Sequence, residues 1–416
     1  MGEYDIWGTI DYSQLYQVNK TYYDGKCRNT GNKVWMQGII SELSTPENQL
    51  VYYDPKMTFE QINANFDMVL FSTANLFCRK FLDEMEEYSS FFSEIKIPVF
   101  VISCGAQANS YDDLHNLCAD IRKPATKFID TIYNTGGEFG LRGYFTKEVF
   151  DCLMSNTAVV TGCPSLFQNG RTLKISEEKL DSHLIKPVFN GSLPFKNDVF
   201  KEYPDSIYID QNFYFNELYA PSFWDNIEIS NHGIYQLIKK YKLQYLNLLV
   251  SNRLKLFVDI PEWRSFLQQN GYNLSLGSRI HGNIMALLSG IPAIIYAQDT
   301  RTREMAEFYN IPYFLPEHKF QKSVYDIYQN ADFRKFNLEF SSKYDAFENF
   351  LIQHGIVEKM NTDNIFWSKQ APIKYPNESD PVKEEIASAL RKHPFLYSSM
   401  NSFIILDEKI RWKLTH

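Results

Sequence analysis

The amino-acid sequence predicts an α/β protein made of two doubly wound, Rossmann-like domains that face each other across a cleft, followed by a helical C-terminal tail. Apolar runs of strand length alternate with amphipathic helical segments along most of the 416 residues. The run at residues 97–106 is nearly continuous in apolar residues, which is typical of a parallel strand covered by helices on both faces. A charged stretch over residues 174–186 separates two such series. We therefore expect domains over residues 1–180 and 181–330 and a helical or irregular extension over residues 331–416.

The first series contains four predicted strands, at residues 49–54, 67–73, 97–106 and 158–165. Helices are expected at residues 58–66, in the amphipathic stretch that ends at Tyr88, and at residues 146–156. Strands of this kind pair in parallel, so their carboxyl ends meet at one edge of the sheet. Ligands of doubly wound folds bind at that edge.

The second series contains five predicted strands, at residues 186–192, 205–210, 245–252, 272–278 and 292–297. A helix is expected over residues 261–271, with Pro261 in its first turn, and an apolar helix is expected from Ile284. Beyond residue 317 the spacing predicts a helix that stops at Gly355, a loop over residues 368–381 and a short helix over residues 381–393.

Composition and charge narrow the class of protein. Hydrophobic residues make up 44% and charged residues 22%, as in ordinary globular proteins. The formal net charge of −8 argues against nucleic acid as a partner. The aromatic share of 16% is high, which reflects either aromatic cores or tyrosines that line a carbohydrate groove.

The six cysteines and the absence of membrane signals predict a cytoplasmic protein. The cysteines are scattered over the first 163 residues with no Cys-x-x-Cys pair, so we expect reduced, mostly buried thiols rather than disulfides or a zinc site. The sequence contains no apolar run of transmembrane length and does not begin with a basic, apolar leader. We expect neither a signal peptide nor a membrane span.

The segment "GSRIHGN" carries the strongest functional signal. Arg279 and His281 lie where the strand ending near Leu276 gives way to a helix, and Ser278 and Gly282 leave room for a ligand beside the backbone. A helix N-terminus offers free N–H groups to an anion, and arginine adds a planar fork for carboxylate or phosphate. The helix dipole should favour neutral histidine with a pKa near neutral pH. The alternative is a histidine that caps a turn and an arginine paired with a local acid.

Two further strand-to-helix turns carry arginines. Arg142 follows a short apolar run between two glycines, and together with Arg279 it would form a clamp for one small dianion. Asp299 is a predicted N-cap, and Arg301 and Arg303 follow it in the first helical turn, where cations oppose the dipole. That cost indicates a bound anion or a partner acid, with a solvated turn as the alternative.

Two glycine-containing turns are candidates for polar contacts to the same ligand. "NTGNKVW" contains Asn32 and "SCGAQAN" contains Gln107, and we expect both at strand ends. Neither segment fits a phosphate-binding glycine motif, so simple turn chemistry is the competing interpretation. The sequence contains no motif that requires a metal ion.

These segments, in this order, resemble the polysaccharide pyruvyl transferase family. The resemblance is carried from about residue 29 to residue 313 by "GNKVW", "SCGAQ", "LRGYFTKEVF", "VTGCPS", "GSRIHGNIMALLSGIPAIIY" and "DTRTREMAEFYNIP". The Arg-x-His block is the specific part. The resemblance implies a fold similar to the two-domain GT-B glycosyltransferases and no organic cofactor.

The resemblance also implies a reaction. Phosphoenolpyruvate would be the donor, and its enolpyruvyl carbon would form a cyclic ketal on two hydroxyls of a sugar, releasing phosphate. The family's arginine in the first domain maps to Arg142, and its Arg-x-His pair maps to Arg279 and His281. Where some members have a lysine after the Ile-Pro strand, this chain has "AQDTRTRE", so Arg301 would be the substitute.

The sugar acceptor would be a lipid-linked oligosaccharide or a nucleotide sugar used for capsule, exopolysaccharide or cell-wall glycan. A lipid-linked acceptor implies peripheral contact with the inner face of the membrane. Two other functions fit the same fold: a GT-B glycosyltransferase that uses a nucleotide sugar, and a catalytically silent glycan-binding scaffold.

Overall fold

The computed structural model describes a subset of the chain, and within it the protein is a mixed α/β molecule with two parallel sheets. This confirms the predicted α/β class with two parallel sheets. The described residues are 29–45, 48, 50–51, 53–154, 158–195, 198–211, 231–257, 260–318, 323–360, 381–392 and 396–397.

The first sheet has four parallel strands in sequential order. The elements up to its last strand are α1 (Gly31–Leu43), α2 (Phe59–Asn65), β1 (Val69–Ser72), α3 (Leu82–Phe92), β2 (Val99–Cys104), α4 (Leu114–Asn134), β3 (Phe139–Leu141), α5 (Tyr144–Leu153) and β4 (Val159–Val160). Thr58 and Gln61 form a capping box that starts α2 where the sequence predicted it. Strand β2 is buried along its whole length, as expected for a run covered on both faces.

The second sheet has six parallel strands in the order β10-β9-β8-β5-β6-β7. Its elements are β5 (Pro187–Asn190), α6 (Val199–Glu202), β6 (Ile207–Asp210), α7 (Asn231–Tyr241), α8 (Leu243–Val250), β7 (Leu254–Leu256), α9 (Ile260–Gln269), β8 (Leu274–Gly277), α10 (Ile280–Leu288), β9 (Ala293–Tyr296), α11 (Thr300–Tyr309) and β10 (Tyr313–Phe314). The strand order reverses direction beside β5, which lies between β6 and β8.

Three predicted elements were wrong. The run at residues 245–252, predicted as a strand, lies mostly in helix α8, and the strand follows it as β7. Short apolar runs fit both structures, because periodicity alone does not separate a buried strand from a buried helix. Residues 49–54 form no strand in their described part, and helix α10 begins at Ile280 rather than Ile284.

Helix α1 packs with the second sheet although it precedes the first sheet in the chain. Its Val34, Trp35 and Leu43 belong to the same buried apolar cluster as strands β5 and β8. This packing against α10 brings the N-terminus of α1 close to the second sheet's carboxyl edge.

The C-terminal part is helical in its described residues, as predicted. Helices α12 (Val324–Asn330), α13 (Arg334–Gln353) and α14 (Pro381–Lys392) follow β10, and the predicted loop at 368–381 lies almost wholly outside the described residues. None of the described helices combines the length and apolar character needed to span a bilayer. The five cysteines in the described ranges are free thiols.

Candidate functional site

His281 lies in the first turn of α10, immediately beyond the carboxyl end of β8. Arg279 is the N-cap residue of the helix and makes no side-chain cap bond. The backbone N–H groups of residues 280–282 have no hydrogen-bond partner in the described part of the chain. The predicted strand-to-helix turn with a free helix N-terminus is therefore present.

A buried amide network holds this turn. Asn190, at the end of β5, accepts a hydrogen bond from the backbone N–H of Arg279 at 3.0 Å. Its amide donates to Ser275 and to Asn283 at 3.2 Å each, and the Ser275 hydroxyl lies 2.9 Å from the Asn283 oxygen. Because all three side chains are buried, the network fixes where α10 starts. Nothing local in the sequence distinguishes these residues from ordinary core amides, so they could not be predicted from it.

Arg142 is a buried cation at the carboxyl end of β3. Arg142 is 2% exposed. Its guanidinium makes one long hydrogen bond, from Nε to the Ser103 hydroxyl at 3.5 Å. The Nη2 atom is buried and has no partner among the described residues. An unpaired buried charge is costly, so this group is suited to an anion that is bound there.

Burial and, secondarily, the positive charges nearby make His281 a neutral imidazole. Burial, together with the positive charges of Arg142 and Arg301, lowers the pKa of His281 to about 3. Its Nε2 atom is buried without a partner among the described residues. The sequence-based expectation of a pKa near neutral pH was therefore wrong: desolvation exceeds the modest effect expected of a helix dipole.

Asp299 caps α11, as predicted. It accepts a hydrogen bond from the Thr302 backbone at 2.8 Å and forms a capping box with that residue. Its other carboxylate oxygen accepts bonds from Arg301 at 3.3 Å and from Gln107 at 3.4 Å. Gln107 follows β2 of the first sheet, so this carboxylate joins the carboxyl edges of both sheets. The Nε atom of Arg301 is buried and unpartnered in the described structure.

Arg279 is partly buried near Asp299 and Arg301. Burial lowers the pKa of Arg279, and Arg301 lowers it further, whereas Tyr208, Asp210 and Asp299 act in the opposite direction. Two arginines that repel each other at one edge favour a multivalent anion between them.

Two predicted ligand residues serve other roles or lie elsewhere. The Ser278 hydroxyl accepts a hydrogen bond from the Ser192 backbone at 2.8 Å, which supports the turn. Asn32 lies in the first turn of helix α1, not in a turn after a strand, and its side chain makes no hydrogen bond in the described structure. The expected strand end at "NTGNKVW" was wrong, whereas Gln107 does follow a strand.

Arg303 has the partner acid that the sequence analysis offered as one alternative. Its Nε atom lies 2.8 Å from Glu307, and its guanidinium lies 4.1 Å from the centre of the Tyr111 ring. Tyr111 and Tyr313 both donate to Glu307 as well. Arg303 is thus engaged by an acid and an aromatic ring, whereas Arg301 makes one 3.3 Å contact with Asp299 and leaves its buried Nε without a partner in the described structure.

Glu304 is the ionisable residue that sequence reasoning missed. Its buried carboxylate, on α11, lies at the N-terminus of α5 and accepts hydrogen bonds from the Thr146 N–H and hydroxyl. Burial raises the pKa of Glu304 to about 7, although the bonds from Thr146 and the charge of Arg142 act to lower it. A Cβ on Gly143 would lie 2.9 Å from the carboxylate, so the glycine before the helix admits this contact.

Comparison with protein families identifies the chain. Residues 10–300 match the family model of polysaccharide pyruvyl transferase. The match spans well over half of the chain, including β1 to β9 and His281. The protein therefore belongs to the polysaccharide pyruvyl transferase family, and comparison with curated proteins gives no match.

No three His, Cys, Asp or Glu side chains in the described ranges form a group that could hold a metal ion.

Proposed function

We propose that this member of the polysaccharide pyruvyl transferase family transfers the enolpyruvyl carbon of phosphoenolpyruvate to two hydroxyls of a sugar. The product is a cyclic pyruvate ketal on a precursor of a capsular, exopolysaccharide or cell-wall glycan. The two Rossmann-like halves would face each other across a cleft, as in GT-B enzymes, with the donor between Arg142 of one half and Arg279 and His281 of the other.

The observation that carries this proposal is the unpartnered Nη2 atom of the Arg142 guanidinium, buried beside a neutral histidine. Phosphoenolpyruvate carries a carboxylate and a phosphate, so it offers anionic oxygens to Arg142, to Arg279 and to the unpartnered Nε of Arg301. Guanidinium groups also stabilise phosphate as it leaves. The proposal therefore needs no metal ion and no organic cofactor.

The reaction balances without an external reagent. The first sugar hydroxyl adds to C2 of the donor and the methylene carbon gains a proton, which gives a methyl group. The C–O bond to phosphate then breaks, and the second hydroxyl forms the other ketal bond. Two hydroxyl protons are lost, one reaches the methyl carbon and one leaves with inorganic phosphate.

His281 is the proposed proton carrier, and its neutral state decides the order of events. With a pKa of about 3 in the free protein, it cannot begin as the general acid at neutral pH. It can accept the proton of the attacking hydroxyl, because a dianionic donor beside it stabilises the imidazolium. It would then return that proton to the methylene carbon or the leaving phosphate.

Phosphorus-31 NMR of the purified protein tests this function. The protein is mixed with phosphoenolpyruvate and a pool of lipid-linked sugars or nucleotide sugars from a capsule-producing bacterium. We expect inorganic phosphate to appear only with acceptor present, and not with His281→Ala. A lipid-linked acceptor would require peripheral contact with the inner face of the membrane, so the activity should then sediment with acceptor-loaded vesicles.

Two outcomes would contradict the proposal. Growth of nucleoside diphosphate or monophosphate signals from sugar nucleotides, without phosphate release, would indicate a GT-B glycosyltransferase instead. Sugar binding that is unchanged in His281→Ala, with no turnover in either protein, would indicate a silent glycan-binding member. Arg303→Gln is the matched control, because its guanidinium is occupied by Glu307 and Tyr111.

A further inference from the structure

Thr30 and Gln211 are neighbouring residues at the second sheet's carboxyl edge, and each has a polar side-chain atom that no described residue engages. Thr30 is 0% exposed and Gln211 is 2% exposed. The Thr30 hydroxyl oxygen and the Gln211 amide nitrogen are both buried without a partner among the described residues. The two residues are joined through their backbones, since the Thr30 N–H donates to the Gln211 carbonyl at 2.8 Å.

The Gln211 side chain lies between the N-termini of two helices. A Cβ on Gly282 of α10 would lie 2.2 Å from its amide nitrogen, and a Cβ on Gly31 of α1 would lie 3.0 Å from its amide oxygen. The same Gly31 position would come within 3.1 Å of the His281 Cβ. Glycine at both helix starts therefore leaves room for an amide beside His281. The buried Nε2 of His281 is unpartnered in the described structure as well.

These groups are neutral, whereas the arginines that act on His281 are cationic. Arg142 and Arg301 both lower the pKa of His281, so their charges lie near the ring. The histidine is thus bordered by two different environments: guanidinium groups, and neutral donors at two helix N-termini. Buried donors with no acceptor cost free energy unless a ligand satisfies them.

The neutral donors suit a small group that only accepts hydrogen bonds. A carboxylate is planar, has two acceptor oxygens and is favoured at helix N-termini. A dianionic phosphate is matched better by the guanidinium forks. A sugar diol needs acceptors as well as donors, so it matches these donors less well than a carboxylate does.

We infer that Thr30 and Gln211 bind the carboxylate of the three-carbon donor while the arginines bind its phosphate. This inference rests on the proposed function, and it gives the donor one orientation. The central carbon, which the hydroxyls attack, then lies beside His281. Thr30 and Gln211 are accordingly residues that select a phosphate ester with an adjacent carboxylate over other phosphate esters.

A pair of matched ligands tests the orientation by calorimetry. The carboxylate of 2-phosphoglycolate is replaced by a methyl group in ethyl phosphate. The native protein should bind 2-phosphoglycolate more tightly. Gln211→Met should weaken the binding of 2-phosphoglycolate by about tenfold or more, since a hydrogen bond to a charged group is lost. Its affinity for ethyl phosphate should be unchanged. Arg279→Lys should weaken both ligands.

Thermal unfolding separates ligand binding from a structural role. The Gln211 amide nitrogen has no partner to lose, so Gln211→Met should unfold at no lower temperature than the native protein. Gln168→Met is the matched control, because its amide donates to Val34 at 3.0 Å and to Ser165 at 2.8 Å. That control should unfold at a lower temperature and keep the ligand preference. Gly282→Ala should also reduce the preference for 2-phosphoglycolate over ethyl phosphate, because the methyl group of the alanine displaces the Gln211 amide.

The outcomes distinguish this inference from the function on which it rests. If Gln211→Met weakened the binding of both ligands equally, or changed the affinity for neither, the carboxylate assignment would be overturned. Phosphoenolpyruvate would remain the proposed donor. If Arg279→Lys, and not Gln211→Met, lost the preference for 2-phosphoglycolate over ethyl phosphate, the arginine would bind the carboxylate and the donor would lie in the reverse orientation. A native protein that binds neither ligand would overturn the proposed function and this assignment together.

Discussion

The carboxylate of Glu304 accepts hydrogen bonds from both the backbone N–H and the hydroxyl of Thr146, a residue 158 positions earlier in the chain. The contact places an acid from α11 at the N-terminus of α5, directly after Arg142. The Thr146 hydroxyl also accepts a bond from the Ala106 N–H at 2.8 Å. This buried carboxyl group thus joins α11, which follows β9 of the second sheet, to α5, which follows β3 of the first. Because helix N-termini favour negative charge, this contact helps to position the helix that follows Arg142.

We predict that Glu304→Gln flattens the pH dependence of stability between about pH 4.5 and pH 7. The pKa of Glu304 is raised from 4.5 to about 7. The folded protein therefore keeps a proton that the unfolded chain releases, so stability falls as pH rises across this window. The free energy of unfolding should fall by about 3 kcal/mol in total across this window. Urea unfolding from pH 4.5 to pH 8 measures it.

The matched control for that experiment is Glu307→Gln. The pKa of Glu307 is lowered through its bonds with Tyr111, Arg303 and Tyr313, which together outweigh its burial. Its contribution has the opposite sign, being present above the unfolded-state pKa and lost in acid. A Glu304→Gln protein whose stability still falls between pH 4.5 and pH 7 as steeply as the native protein would contradict the prediction.

Arg301 and Arg303 should differ in function although they are two residues apart in one helix. Arg301→Gln should weaken binding of phosphoenolpyruvate by about tenfold or more, because its Nε is unpartnered beside His281. Arg303→Gln should leave binding unchanged and lower the free energy of unfolding by about 1 kcal/mol, through loss of the Glu307 and Tyr111 contacts. Calorimetry and urea unfolding measure the two effects, and equal loss of affinity in both variants would contradict this division.

Anion binding should be coupled to proton uptake at His281. A dianion beside the ring raises the pKa of His281 above its free value of about 3, so the complex binds protons that the free protein does not. Sulfate does not titrate in the neutral range, and its affinity should therefore rise as pH falls from 8 to 5.5. Calorimetry in buffers of different ionisation enthalpy counts the protons.

His281→Asn should abolish most of that uptake. Glu304→Gln is needed as a second control, since the carboxyl titrates near pH 7 and feels the charge of Arg142. Uptake that persists in His281→Asn and disappears in Glu304→Gln would assign the proton to the glutamate instead.

Glu42 should destabilise the protein at neutral pH. Both of its carboxyl oxygens are buried on α1 with no partner in the described structure. Burial, and secondarily the nearby Cys163, raises the pKa of Glu42 well above its ordinary value. Glu42→Gln removes the ionisable group, so it should be more stable than the native protein at pH 8 by about 1 kcal/mol or more, with a smaller difference at pH 5. Urea unfolding at the two pH values decides this, and a variant that is less stable at both would refute it.

Local patterns predicted the elements whose signals lie within a few residues. Asp299 was identified as an N-cap because a short acceptor before a helix satisfies that helix's own N–H groups. Residues 245–252 were misassigned because a short, mainly apolar run suits a buried strand and a buried helix equally, and packing of Leu246 and Leu249 in the core selected the helix. Strand β3 is three residues long, and the sequence predicted it only as the short apolar run before Arg142.

The sequence by itself determined that Arg142, Arg279 and His281 lie at the carboxyl ends of strands, because strand and helix boundaries are local properties of the chain. Only the tertiary structure decided that His281 is neutral, that Glu304 has a pKa of about 7, and that Gln211 lies between two helix starts. The reason is physical. Desolvation and charge–charge energies depend on distances through space between residues far apart in the chain, and no periodicity or spacing along the sequence encodes those distances.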